Sequence, residues 1–334
     1  MSIETNVVHT GDCFDVLAEL PDESVHMVMT SPPYFGLRDY GHEDQIGLEE
    51  SLDKYIQNLV EVFREVRRVL RPNGSAWLTL GDSYAGSGPE NHDNSNTVAG
   101  APNSDGANDQ RGSLGDTSFG RKNKMLVPHR VAIALQDDGW VVRNDVTWVK
   151  PNPMPSSVKD RLNTTTEQIF HLTPNPDYWY DLDAIREPYQ ENTKARAERG
   201  LAEGHKLEDS APGQSKHSIH QPADEQGGLH PEGKNPGDVF EVTTKPFPEA
   251  HFAVYPPELC EKPIKASCPK NGIVLDPFAG AGTTLLKAKE LGRQFIGIEL
   301  NAKYADMARA RVGIDVKDPS NIRDGDSQSG LEVY

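Results

Sequence analysis

The segment Thr30-Ser31-Pro32-Pro33-Tyr34 directly follows the apolar run Val25-His26-Met27-Val28-Met29. Proline has no backbone N–H, so a central strand must end there. Each residue before a proline is pushed toward extended geometry. The segment therefore forms a stiff strand exit whose carbonyls find no partner on the same segment. The Ser31 hydroxyl and the Tyr34 ring stand beside them. Rigid acceptors next to an aromatic face suit a binding crevice, and the plainer alternative is a rigid turn.

A second constellation lies near the C-terminus. Ile273-Val274-Leu275-Asp276-Pro277-Phe278-Ala279-Gly280-Ala281-Gly282-Thr283-Thr284 reads as strand, tight turn and helix start. Glycines let backbone approach a ligand closely, and the helix start presents free N–H groups. Glu299 ends the next apolar run, where a carboxylate can accept hydrogen bonds from both ribose hydroxyls of an adenosine-type cofactor. The turn lacks the third glycine of a dinucleotide fingerprint and the Lys-Ser/Thr of a phosphate loop. S-adenosylmethionine needs no pyrophosphate cradle, so it fits better than NAD or ATP. A glycine turn needed only for packing is the competing reading.

These residues need strands to carry them. Residues 7–10 and 25–30 read as strands separated by a short helix at 13–20. Apolar residues at 52, 55, 56, 59, 62, 63, 66, 69 and 70 follow helical spacing. Arg71-Pro72-Asn73-Gly74 is expected to stop that helix before a strand at 75–80. The β-α-β-α-β order is that of a parallel sheet with crossover helices. Further on, 128–138 reads as helix, and 140–149 and 166–172 as strands. After these come a helix at 256–267, a strand at 272–275, a helix at 283–291, a strand at 295–299 and a helix at 302–312. Two stretches have little core-forming capacity, 85–120 and 190–237; the first is expected to be a long mobile loop. The tail after 316 is polar and expected to be loose.

Composition bounds the rest. The 334 residues suffice for one large domain or two smaller ones. No apolar run is long enough to span a bilayer, and the first residues do not read as a signal peptide, so no membrane partner is expected. Three cysteines, Cys13, Cys260 and Cys268, lack the spacing of a zinc site or a disulfide framework, and no metal is expected. The default compartment is the cytoplasm. The net charge of −17 argues against a polyanionic partner, unless local basic patches bind it in a salt-rich interior.

Taken together, the two constellations resemble the motifs of S-adenosylmethionine-dependent DNA amino-methyltransferases. Asp276-Pro277-Phe278-Ala279-Gly280-Ala281-Gly282-Thr283-Thr284 resembles their cofactor motif, and Thr30-Ser31-Pro32-Pro33-Tyr34 their catalytic (S/D/N)-PP-(Y/F/W) motif. The catalytic motif precedes the cofactor motif, which resembles the beta group, a circular permutation of the common methyltransferase fold. Gly11-Asp12-Cys13 resembles the segment whose acid contacts adenine. Lys245-Pro246-Phe247-Pro248-Glu249-Ala250-His251-Phe252-Ala253 resembles a segment that helps hold the methionine moiety. The resemblance covers residues 7–82, 125–185 and 235–313.

The resemblance implies an α/β, Rossmann-like methyltransferase fold with a mostly parallel seven-stranded sheet, circularly permuted. It implies a catalytic domain of residues 1–187 and 236–316 containing the loop 85–120. A polar insertion, 188–235, is then the candidate target-recognition region, and 317–334 the tail. Ser31, Pro32, Pro33 and Tyr34 would act on an exocyclic amine of a base flipped out of double-stranded DNA. Asp12, Asp276, Phe278, Gly280, Gly282, Thr283 and Glu299 would hold S-adenosylmethionine.

Such an amine is a poor nucleophile because its lone pair is delocalised, and rigid acceptors pulling on its N–H bonds counter this. The flipped base would stack on Tyr34. Ser31 in place of Asp goes mainly with cytosine N4 in the family; adenine N6 is the alternative, and a catalytically silent nucleic-acid binder is the alternative of another class. Asn in the first position and unpermuted order, typical of enzymes acting on protein glutamine or RNA, are absent. A cognate restriction enzyme is a possible partner. His129, His171 and His251 are not expected to act as bases. Arg121, Lys122, Lys124 and Arg130 form a basic cluster, read either as a solvated face or as phosphate contacts.

Overall fold

The computed structural model describes residues 3–36, 45–85, 119–195, 229–244 and 254–318. Most of the loop 85–120 and of the insertion 188–235 lies outside the described residues, as do Lys245–Ala253 with His251 and nearly all of the tail.

The strands are β1 (Val7–Thr10), β2 (Val25–Thr30), β3 (Leu70–Leu80), β4 (Val141–Val149), β5 (Thr166–Thr173), β6 (Val239–Glu241), β7 (Ile273–Asp276) and β8 (Gln294–Glu299). They form one sheet in the order β1-β8-β7-β2-β3-β5-β4-β6. From β1 to β3 every pairing is parallel; β5 runs antiparallel to both β3 and β4, and β6 is parallel to β4. The expected seven strands become eight because Val239–Glu241 adds a short edge strand against Thr147–Val149. So short a run carries too few alternating residues to be read from sequence. The second difference is β3, which starts at Leu70 rather than 75. Val25 pairs with Leu70 and Met27 with Ser75, so the expected turn residues bulge out between two paired positions.

The helices are α1 (Cys13–Glu19), α2 (Leu52–Val69), α3 (Val127–Asp137), α4 (Glu258–Ser267), α5 (Thr283–Glu290) and α6 (Ala302–Val312). The alternation of side chains along each strand divides them between two faces. Val28, Leu78, Leu275 and Ile296 pack with α1, α2 and α3, whereas Met27, Met29, Trp77, Val274 and Phe295 pack with α4, α5 and α6. In α2 the buried residues Leu52, Tyr55, Leu59, Val62, Phe63, Val66 and Val69 keep one continuous stripe, and Ser51 caps its start by accepting from the Lys54 N–H. Arg68 near its end donates to the carbonyls of Leu17 and Leu20 at the end of α1.

The two ends of the chain are joined in the sheet. Thr10 of β1 pairs with Glu299 of β8, and Val28 of β2 with Leu275 of β7. A buried ion pair locks the join: Arg309 of α6 contacts Asp306 at 2.6 Å and donates to the Val8 carbonyl at 2.6 Å and to Thr10 Oγ1 at 2.7 Å. The C-terminal ends of β1, β8, β7, β2 and β3 therefore open at one edge. The β4–β5 hairpin turns there too, because Leu80 pairs with Gln168 and Val149 with Thr166. Ligands of open α/β sheets bind at such an edge. No helix among the described residues is long and apolar enough to cross a membrane.

Residues 181–237 form a separate compact unit. Its two ends are zipped to each other: Glu187 N–H donates to the Lys234 carbonyl at 3.0 Å and Lys234 N–H returns to Glu187 at 2.8 Å. Gly233 lies at φ +111°, and a Cβ there would sit 2.2 Å from the Glu187 carbonyl oxygen, so this closure requires glycine.

Candidate active site

The end of β2 is tied to the end of β7. Thr30 Oγ1 donates to Asp276 Oδ1 at 2.6 Å, and Asp276 also accepts the Phe278 N–H at 3.1 Å. Burial raises the Asp276 carboxyl to about 6 against the opposing hydrogen bonds from Thr30, Thr284 and Phe278. Asp276 is 1% exposed and does not line the cavity described below; it fixes the two motifs relative to one another.

Beyond Thr30 the chain is held rigidly. Tyr55 Oη donates to the Pro33 carbonyl at 2.9 Å and so anchors it, and the carbonyls of Ser31 and Pro32 are the candidate acceptors. The Cδ2–Cε2 edge of the Tyr34 ring lies against backbone: a Cβ added to Gly81 would be 2.5 Å from Tyr34 Cε2. Its hydroxyl donates to Glu167 Oε2 at 2.8 Å, and Ser31 Oγ donates to Tyr34 Oη at 3.3 Å. Burial and the neighbouring Glu167 hold the Tyr34 phenol well above its usual pKa.

On the cofactor side, Gly280 and Gly282 have φ of +52° and +77°, the left-handed region that favours glycine. The Gly280 N–H donates to Glu299 Oε2 at 2.8 Å, and the Asn301 N–H to Glu299 Oε1 at 2.9 Å. The Leu300 N–H also stabilises this carboxylate, whose acceptor sites are not all used by three donors. Burial raises Glu299 to about 7, while these N–H groups pull the other way. Gly282 does not line the cavity. A Cβ there would be 2.9 Å from Ala308 Cβ, so it serves the packing of α5 on α6.

One cavity of about 390 Å³ takes in both constellations. Ser31, Pro32, Pro33 and Tyr34 line it together with Phe278, Gly280, Thr283 and Glu299. Asp12 lines it as well while capping α1 through the Phe14 N–H at 2.7 Å. Its size lies within the range of small-ligand pockets. Phe278 both lines the cavity and packs against the core.

Several lining residues carried no signal in the sequence reading. Lys150, just past β4, ion-pairs with Glu167 of β5 and lies 4.6 Å from the centroid of the Trp148 ring. Tyr255 lines the wall near Phe278 and bonds Thr284 Oγ1. Of the histidines, His171 is buried and stacked on Trp77, and burial lowers it to about 3, so it stays neutral. Within the basic cluster, Lys122 pairs with Asp160 at 2.5 Å and Lys124 with Asp82 at 3.5 Å.

A sheet of this topology, with a strand-end acid and a rigid proline-rich strand exit lining one crevice, is the Rossmann-like fold of DNA methyltransferases. The family described as DNA methylase matches residues 25–310. The Type II methyltransferase M.XycI of Xanthomonas campestris pv. cyanopsidis is 40% identical over 90% of this chain and 86% of its own length. Among solved structures, the fold resembles PvuII DNA methyltransferase (cytosine-N4-specific), with a TM-score of 0.60 and 18% identity over 95% of this chain and 89% of that one. It also resembles M1.HpyAVI in an S-adenosylmethionine complex, with a TM-score of 0.52 and 20% identity over 92% and 99% of the two chains. The chain belongs to the DNA methylase family and is a Type II DNA amino-methyltransferase of the N4/N6 kind.

Proposed function

We propose that this enzyme methylates the exocyclic N4 amine of cytosine, flipped out of duplex DNA at a specific site, with S-adenosylmethionine as donor. The observation that carries the reading is the single cavity lined by both Ser31–Tyr34 and Phe278–Glu299. The cofactor fits the groups present. Glu299 keeps free lone pairs for ribose hydroxyls. The only cation lining the cavity among the described residues, Lys150, is neutralised by Glu167, so no lining Lys or Arg is left over for a pyrophosphate. When bound, the cofactor supplies a methyl group on a sulfonium centre.

The chain's own residues do the rest. Glu299 binds the ribose, Asp12 the adenine, and Phe278 offers an aromatic face to the cationic sulfur. Gly280 brings backbone close and anchors Glu299. The Tyr34 ring, pressed on Gly81, offers the face on which an extruded base stacks, worth about 1–3 kcal/mol. Ser31 Oγ and the carbonyl of Ser31 or Pro32 accept from the two amine N–H bonds and draw the nitrogen toward tetrahedral geometry. The prolines keep these acceptors preorganised, so they cost no reorganisation during the reaction. Serine in the first motif position favours cytosine. The polar insertion 188–235 is the seat of target recognition. A cognate restriction endonuclease is the expected partner, and the cytoplasm the compartment.

The test is incubation with methyl-labelled S-adenosylmethionine and mixed-sequence duplex DNA, followed by nucleoside analysis. Label in N4-methylcytosine is expected. Label in N6-methyladenine refutes the choice of base, and unlabelled DNA refutes the reading as a whole. Ser31→Ala and Tyr34→Ala are expected to suppress transfer while leaving cofactor affinity largely intact.

A further inference from the structure

The three polar groups Ser31, Tyr34 and Glu167 form a chain whose direction is fixed at one end. An ionised carboxylate only accepts hydrogen bonds. Glu167 Oε2 therefore takes the single proton of Tyr34 Oη, at 2.8 Å. Tyr34 Oη is left as an acceptor, and Ser31 Oγ donates to it at 3.3 Å. With its proton so committed, Ser31 Oγ turns lone pairs, and not a proton, toward the cavity.

The other end of the carboxylate is held too. Lys150 Nζ occupies Glu167 Oε1, and Glu167 stands opposite Trp148 in the β4–β5 ladder, which sets its position from a different part of the sheet. The Glu167 side chain is 17% exposed and that of Lys150 23%. Among the described residues, the charged or titratable groups that bear on this chain include Lys150 beyond β4, Tyr55 of α2 and Tyr255 ahead of α4.

We propose that Glu167 is a positioning residue that sets the donor–acceptor polarity of the Tyr34–Ser31 hydroxyl pair, so that Ser31 Oγ accepts from the target amine. The proposal rests on the amine-methylation reading above and adds to it a residue outside both motifs. It gives Lys150 a definite part. In Glu167→Gln the ammonium attracts the amide oxygen, which turns the amide N–H₂ toward Tyr34. The chain then reverses: glutamine donates to Tyr34, Tyr34 to Ser31, and Ser31 points its proton at an amine that also carries protons. A nearly isosteric change thus replaces an attraction with a repulsion at the reacting nitrogen.

The test is the single-turnover rate of methyl transfer at saturating S-adenosylmethionine and DNA for wild type, Glu167→Gln, Tyr34→Phe, Ser31→Ala and Ser31→Ala/Glu167→Gln. Cofactor and DNA affinities and thermal melting are measured alongside. Glu167→Gln is expected to slow transfer roughly 10²-fold, comparable to the loss of one oriented hydrogen bond in an active site, with affinities unchanged. Tyr34→Phe keeps the ring, removes the link and is expected to be slowed as well. It also serves as the deciding variant if Glu167→Gln does not fold. The double variant is expected to be no slower than Ser31→Ala alone, because Glu167 acts only through Ser31. General damage to the pocket would instead make the two losses multiply, which overturns the proposal, as does a wild-type rate in Glu167→Gln or in Tyr34→Phe. If wild type itself puts no methyl on a DNA amine, the underlying reading falls and the proposal with it.

Discussion

Glu299 gives the cofactor site a pH signature that can be worked out in advance. Its carboxyl is raised to about 7 by burial. Only the ionised form offers acceptors alone to the ribose hydroxyls. If that form binds the cofactor, the apparent dissociation constant scales as one plus ten to the power of the pKa minus the pH. With a pKa of about 7 the factor is about 11 at pH 6 and about 1.1 at pH 8. Affinity should therefore tighten about tenfold between these values. The sign follows from burial, because raising the pKa disfavours the charged form and binding must release the proton.

Calorimetric titration of the enzyme with S-adenosylmethionine, without DNA, measures this directly. The cofactor's own amine also titrates in this range, so Glu299→Gln is the control. It is expected to bind roughly 10- to 100-fold more weakly at pH 8, having lost charge-assisted hydrogen bonds. It should also lose the tenfold pH dependence. An affinity for wild type that is flat or falls from pH 6 to pH 8, or a Glu299→Gln variant with the same slope, would refute the assignment of Glu299 to the ribose.

Gly81→Ala is expected to fold yet turn over at least 10-fold more slowly, because its Cβ would meet Tyr34 Cε2 at 2.5 Å and push the ring out of place; cofactor affinity, read by the same calorimetry, should be kept. Arg309→Met takes the cationic partner from the buried Asp306 carboxylate, which still accepts the Lys317 and Asp318 N–H groups, and should lower stability by about 3–5 kcal/mol in denaturant unfolding. His171 is lowered to about 3 by burial, so the unfolded chain takes up its proton first as pH falls. This group should reduce stability by about 1.4 kcal/mol per pH unit below about pH 6.5 and down to about 3, with a shallower slope in His171→Gln, as read by urea titrations across that range.

Much of this site is legible in the sequence because its key residues follow local rules. Two prolines end β2 where an apolar run stops, and Glu299 closes β8 after an apolar run; both lie at strand ends whatever the sheet order. Helical spacing marks α2 as far as Val69. What the sequence hides depends on strand neighbours. Glu167 reaches Tyr34 across 133 positions, only because β5 pairs antiparallel with β3 and carries Glu167 to the open edge. The indirect role of Asp276 is hidden for the same reason, since its partner Thr30 lies 246 positions away. The bulge at Arg71–Gly74 shows the opposite failure: residues typical of a turn are carried between paired strand positions, where tertiary pairing overrides local preference.

The account is tested most directly by a crystal structure of the enzyme with S-adenosylmethionine and duplex DNA containing its methylation site. It predicts ribose hydroxyls within hydrogen-bonding distance of Glu299 and an extruded cytosine stacked on Tyr34, its amine beside Ser31. A cofactor seated away from Glu299, or a target base that never reaches Ser31, would contradict it.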